Sequence, residues 1–278
     1  MFMTKKKQAL IITLLVFVLA LVILLVDGLF FANKRVKTRQ ITIQDTKISE
    51  SLDGLKIVYF SDVHYNLFVD ENRLDKAVKQ INKEKPDVVL FGGDLVDYTE
   101  EGQLEQQQLS YLIDTLSSIN APYGKFAVSG QQEDSSEYAT NTFESLMNMA
   151  EFEIIDDKLF HIYYNKDFFN LIGTKSEPNV NLMDNSKYTI AFTHEPKNAD
   201  LFAAFPIDLM IAGSTHGGQI NLPLFRGLFN NAQPYTRHTQ NLSNMQLDIS
   251  SGIGTSKVDI RLFADGDILV YTLKSLQK

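Results

Sequence analysis

"LKIVYFSDVH", Leu55–His64, is the stretch that decides the fold. Leu55, Ile57, Val58, Tyr59 and Phe60 form an apolar run with only Lys56 interrupting it, short enough and rich enough in β-formers to predict a buried strand. The run ends directly on Ser61, Asp62 and His64, so polar groups collect at its carboxyl end. In open α/β sheets that end of a strand is where ligands bind.

Working outward, Asp70–Glu84 ("DENRLDKAVKQINKE") places Leu74, Ala77, Val78 and Ile81 at helical spacing behind an N-cap aspartate. Pro86–Asp97 ("PDVVLFGGDLVD") then repeats the first pattern, a buried apolar run that stops at a Gly-Gly-Asp turn. A second helix is predicted over residues 104–119, with Leu109, Leu112, Ile113 and Leu116 on one face. It is followed by the strand "KFAVSG" and the helix "NTFESLMNMA". Strands alternating with helices imply substantial parallel pairing.

Beyond Glu153 the strands crowd together: "EIID", "LFHIYY", "FFNLIG", "YTIAFTH", "IDLMIAG", "MQLDIS", "DIRLFA" and "ILVYTL", with only "PKNADLFAAF" predicted as a helix between them. A strand "ITIQDTKI" starts at Ile41, and residues 222–244 lack any period and are expected to form a surface loop. Two packed sheets flanked by helices follow, an α/β/β/α sandwich of four layers.

The N-terminus has a different composition. Ala9–Val26 is 18 residues with Thr13 its only polar member, and the apolar run resumes after Asp27. That length approaches the ~20 residues that span a bilayer, and no small-x-small cleavage site follows, so a retained transmembrane anchor over residues 9–32 is expected. It would place the chain in the cell membrane as a single-pass protein. Residues 1–8 form a basic tail, 33–50 a juxtamembrane segment with the first strand, and 51–278 the folded domain. Basic residues flank the span on both sides and do not orient it, whereas the short tail favours an extracytoplasmic domain. The basic flank Asn33–Gln40 is expected to be solvated beside the bilayer.

The net charge is −8, of which the seven basic residues and Asp27 within residues 1–39 contribute +6, leaving −14 on the remainder. An acidic body lacks the basic stripe that nucleic acid requires, so no nucleic-acid partner is expected. The absence of cysteine removes disulfides, thiolate metal sites and cysteine nucleophiles together.

Several strand ends carry groups able to do chemistry. Asp62 and His64 follow the first buried run, Asp94 and Asp97 the second, His194 follows "YTIAFT", and His216 follows "IDLMIAGST". Each alone could be a turn former or a satisfied polar group. Together they form a carboxylate and imidazole set suited to Mn²⁺, Fe²⁺ or Zn²⁺. His161, inside a strand, and His238, in the predicted loop, are given structural roles.

The ordered set "SDVH", "GGDLVD", "THEP", "GSTHGGQI" and "SGIGTS…IRLF" resembles the calcineurin-like metallophosphoesterase family, in particular its bacterial membrane-anchored branch. The resemblance spans roughly Leu55 to Leu273 and implies the same four-layer sandwich, with two divalent ions at the carboxyl ends of the central strands. It implies hydrolysis of a phosphate ester or pyrophosphate by metal-activated water. On this resemblance Asp62, His64 and His216 hold the first ion, Asp94 bridges, and His194 serves the second.

The chain departs from the family pattern at three positions. Gln131 and Gln132 stand where the family has asparagine and histidine, and Ser214 stands where it has a histidine ligand. Gln131 keeps an amide oxygen, displaced by ~1.5 Å through one added carbon–carbon bond. Gln132 has no proton that titrates near neutral pH to give a leaving group, and Glu133 and Asp134 are the nearby carboxyls that offer a substitute acid. Asp97 is expected to orient the metal-binding loop. One complete ion site and a degenerate second are therefore expected. The functions compatible with that are a membrane-anchored metal-dependent phosphoesterase, or an impaired pseudoenzyme of the same fold that binds or regulates.

Overall fold

The computed structural model describes residues 4–98, 103–221, 234–236 and 238–276. Its first helix, α1 (Lys5–Phe30), carries the apolar run, and none of its most apolar window is buried against the rest of the protein. By length and composition it is a candidate membrane span. A 3₁₀ turn at Ala32–Lys34 leads into β1 (Val36–Asp45).

The remaining elements follow the predicted alternation: β2 (Lys56–Phe60), α2 (Glu71–Glu84), β3 (Val88–Phe91), α3 (Gln106–Ser117), β4 (Lys125–Ala127), α4 (Glu137–Met149) and β5 (Glu153–Ile154). Then come β6 (Lys158–Tyr164), β7 (Asp167–Gly173), β8 (Thr189–Thr193), α5 (Ala199–Phe202), β9 (Leu209–Ala212), β10 (His238–Leu242), β11 (Met245–Ile249) and β12 (Gly266–Ser275). The predicted cap at α2 is in place, with the Asp70 carboxylate accepting the Arg73 N–H at 2.9 Å.

The strands form two six-stranded sheets, ordered β1-β12-β2-β3-β4-β5 and β10-β11-β9-β8-β7-β6. In the first, β2 to β5 run parallel, β12 runs against β2, and β1 lies parallel to β12. In the second, β7, β8, β9 and β11 are parallel, with antiparallel edges at β6 and β10.

Period-two alternation divides each central strand between two cores. Val58, Phe60, Val89 and Phe91 pack with Leu74, Ile81, Leu112 and Phe143 of the outer helices. Ile57, Tyr59, Val88 and Leu90 pack between the sheets with Phe169, Ile190 and Ile211. A third cluster beneath α5 covers the far face of the second sheet, completing the α/β/β/α order.

Four local expectations are corrected. β1 starts at Val36 rather than Ile41, so much of the basic flank is strand rather than solvated linker: Lys37 pairs with Asp265 and Arg39 with Asp267. "DIRLFA" is not a strand but a loop with a single bridge at Leu262, because the chain curls its carbonyls around the buried Arg261 side chain. The helix expected over "PKNADLFAAF" is reduced to a 3₁₀ turn and the four residues of α5. In the segment expected as loop, His238–Leu242 pairs with β11 as an edge strand, while residues 222–233 lie outside the described residues.

Candidate metal centre

The carboxyl ends of β2, β3, β8 and β9 meet at one edge of the sandwich, and there the predicted residues converge. Asp62, His64, Asp94, His194 and His216 are all buried. Ligand atoms of Asp62, His64 and His216 lie within 4.8 Å of one another, as do those of Asp62, Asp94 and His194, so Asp62 is common to two adjoining groups. Asp94 also faces both groups, with Oδ2 at 3.3 Å from His194 Nε2 and 3.7 Å from His64 Nε2.

The backbone at these positions is strained. Asp62, His64, Asp94 and His216 have φ between 49° and 57°, the left-handed region that non-glycine residues rarely enter. Such positions cost about 1–3 kcal/mol each and persist where a site requires them. Here they turn each side chain back over its strand end. Gly213 is required nearby, since a Cβ there would overlap Ser61 Oγ and the Asp62 carboxylate.

Each imidazole is held by its Nδ1. His64 Nδ1 lies 2.8 Å from Asp97 Oδ2, His194 Nδ1 lies 2.8 Å from the Gly92 carbonyl, and His216 Nδ1 lies 3.2 Å from the Gly254 carbonyl. With Nδ1 donating to these acceptors, the Nε2 of each ring is the atom aimed inward. The expectation for Asp97 thus has its contact in the structure. His64 Nε2 and His216 Nε2 approach to 3.2 Å, and the buried His194 Nε2 faces Asp94 Oδ2 at 3.3 Å. Three buried Nε2 atoms converging beside two carboxylates fit a divalent cation, which would displace any protons they carry.

Asp62 accepts from the Ser61 hydroxyl and, at 3.0 and 3.1 Å, from the Ser214 N–H. Asp94 Oδ1 accepts from the Gln132 N–H at 2.8 Å, leaving Oδ2 to the imidazoles. Burial lowers the His194 pKa, but Asp94 and Asp62 outweigh it and hold it at about 10. Burial likewise opposes a charge on His64, and Asp97 overcomes it and raises its pKa. Burial, then the His64 and Arg261 charges, push His216 well below the ordinary imidazole value.

The residues matched by a family model span 55–218, and that model describes the calcineurin-like phosphoesterases. The chain belongs to the calcineurin-like phosphoesterase family. Bacillus subtilis metallophosphoesterase YkuE is 29% identical over 253 residues, covering 86% of each chain. A metallophosphoesterase of Campylobacter jejuni is 30% identical over 274 residues, covering 94% of this chain and 70% of the relative. The Danio rerio protein named transmembrane protein with metallophosphoesterase domain is 26% identical over 289 residues, 92% of this chain and 62% of its own.

The three positions expected to depart from the family pattern make the following contacts. The Gln131 amide is exposed and donates to Glu195. Gln132 contributes its backbone N–H to Asp94, and Ser214 its backbone N–H to Asp62. Glu133 is fully buried and accepts the N–H groups of Asp94, Leu95 and Gly130 at 2.7–2.8 Å. Burial, then the Asp94 charge, push its pKa up to about 7.

Beside His194 lies a cleft of about 310 Å³ whose wall includes Gln131, Lys175, Glu195 and Lys197. Lys175 pairs with Asp134 at 2.7 Å, and Lys197 with Glu195. His161 is remote from the centre, its Nδ1 3.0 Å from Asn170 Oδ1. Sequence reasoning missed Arg261. Its buried guanidinium donates to the carbonyls of His216, Ser251, Gly252, Gly254 and Ala264. Nothing local in "DIRLFA" marks that arginine as buried.

Proposed function

We propose that this chain is a membrane-anchored, metal-dependent phosphoesterase with one complete ion site, formed by Asp62, His64, His216 and Asp94. The convergence of His64 Nε2 and His216 Nε2, with both Nδ1 atoms already engaged, carries the reading. When bound, a divalent cation supplies charge neutralisation at a phosphoryl group and acidification of water. The chain's own residues orient that chemistry. Asp97 and the Gly254 carbonyl fix the two imidazole tautomers, and Ser61 with the Ser214 N–H fix Asp62.

His194 is the remnant of the second site, where the diversion of Gln131 to Glu195 and the absence of imidazoles at 132 and 214 leave Asp62 and Asp94 as its companions. A second ion there is held weakly. With an amide at position 132 no titrating group is supplied to the leaving oxygen, so esters with good leaving groups are favoured. The same diversion of Gln131 favours the other reading, a pseudoenzyme that binds an ion and a phosphate without turnover.

Elemental analysis of the full chain in detergent, with hydrolysis of bis(p-nitrophenyl) phosphate under Mn²⁺, separates the two. One ion per chain and turnover abolished by Asp62→Ala is the expected result. Two ions would overturn the single-site assignment, and a bound ion with no turnover would establish the pseudoenzyme.

A further inference from the structure

We infer that the metal-bearing edge of the sandwich is its membrane face, and that the site takes a phosphate ester whose phosphorus lies at headgroup depth in the same bilayer. This rests on the phosphoesterase reading above for its chemistry, and on strand register for its geometry.

β1 is parallel to β12 and β12 antiparallel to β2, so β1 begins where β2 ends. Arg39 aligns with Leu269, and Leu269 with Tyr59. Val36 and Gly266 lie three residues beyond that level, past the carboxyl end of β2 at Phe60 from which the chain continues to Asp62. Val36 is six residues beyond Phe30, the end of α1. The anchor therefore joins the sandwich at the edge that carries the metal ligands. The opposite edge is a full strand away, about 33 Å for ten residues.

The junction is tied down. The Gly28 carbonyl accepts the Arg261 N–H at 3.1 Å, and a Cβ at Gly28 would overlap Leu262. Asn33 donates to Asp259 at 2.8 Å, and its carbonyl accepts from Arg73. The Arg261 side chain reaches from this junction to the carbonyl of His216 at 3.2 Å. One arginine thus separates the anchor backbone from a metal ligand.

Gly28 lies just past Asp27, four residues short of the end of the 9–32 span, about 6 Å along a helix, and the polar layer of a bilayer is about 5–7 Å deep on each side. The site is accordingly at that depth. The anchor's apolar residues are exposed and project away from the domain. In the loops near the junction, Leu67 (40% exposed) and Val258 (40%) are exposed apolar side chains. An amphiphilic phosphate ester matches this arrangement, its tail beside α1 and its phosphate over Asp62 and His216.

The chain has no cysteine, so single cysteines can be placed freely. Leu67→Cys and Val258→Cys on the junction edge and Lys166→Cys on the far edge would each carry a fluorophore in the full chain. The chains are then reconstituted in phosphatidylcholine vesicles containing headgroup-spin-labelled lipid. Quenching about twofold or more at 67 and 258 and little at 166 is expected from the ~33 Å between the edges. Equal quenching at all three positions would overturn the inference. In the same vesicles, hexadecyl p-nitrophenyl phosphate is compared with methyl p-nitrophenyl phosphate. Confinement to the protein's own bilayer predicts a rate about tenfold higher or more for the hexadecyl ester, and equal rates would overturn the substrate class. Loss of both rates with the quenching pattern intact would refute the hydrolase and leave the membrane face standing.

Discussion

Replacing Arg261 tests whether the centre is held together by a side chain outside the ligand set. Its guanidinium is fully buried and donates to five backbone carbonyls, two of them on residues that position His216: its own carbonyl and that of Gly254. Hydrogen bonds from a charged donor contribute about 1.5–3 kcal/mol each, but removing the arginine also removes the cost of burying its charge. That cost is visible in its pKa, which burial lowers to about 10. Arg261→Met leaves five carbonyls without this donor, at about 1–3 kcal/mol for each that finds no other partner, and with the removed burial cost set against this we take about 3–5 kcal/mol as the net. For a domain of this size that is a fall in Tm of about 6–20 °C.

Arg261→Lys keeps the charge and offers three donors in place of five, so it is expected to lie between wild type and Met. The chain has no tryptophan, and the buried Tyr59 and Tyr271 make near-ultraviolet circular dichroism in detergent the suitable readout. Because Gly254 holds His216 Nδ1, Mn²⁺ affinity is expected to fall about 10–100-fold in the same variants under conditions where they remain folded. Stability within about 1 kcal/mol of wild type, or full Mn²⁺ affinity in folded Arg261→Met, would refute the reasoning.

Asp97→Asn, which weakens the hold on His64 Nδ1, is expected to lower Mn²⁺ affinity about 10–100-fold with little change in unfolding midpoint, measured by metal titration and thermal melting. The triple variant Gln131→Asn, Gln132→His and Ser214→His is expected to bind two ions where wild type binds one. It should also hydrolyse esters with poor leaving groups about 10²–10⁴-fold faster, read by elemental analysis and alkyl phosphodiester turnover. His194, raised to about 10, is protonated below that pH, so an ion entering the Asp62–Asp94–His194 group displaces one proton. In the triple variant, affinity at that group should therefore fall about tenfold per unit as pH drops from 9 to 7, and a pH-independent second affinity would contradict the assignment.

The architecture was legible because its signals are local and periodic. "LKIVYF" and "VVLF" are too apolar for an exposed strand, and both become central strands with alternate residues in two different cores. The helix spacing of Leu74, Ala77, Val78 and Ile81, capped by Asp70, likewise survived intact. Where alternation misled, at "DIRLFA", a distant demand overrode it: the chain must wrap its carbonyls around a guanidinium.

By itself, the sequence determined the sandwich, the long apolar N-terminal helix and the chemical inventory of the candidate centre, since residue types at strand ends follow from order along the chain. Only the tertiary structure decided how these are used. It aligned three Nδ1 atoms on separate acceptors so that three Nε2 atoms converge, and it turned Glu133 inward onto three amides. It also set the start of β1 at the carboxyl end of β2, which places the apolar N-terminal helix at the edge that carries the candidate ligands. Those outcomes depend on strand register and on contacts between residues as far apart as Gly28 and Arg261, and no local pattern of residues encodes a register between distant strands.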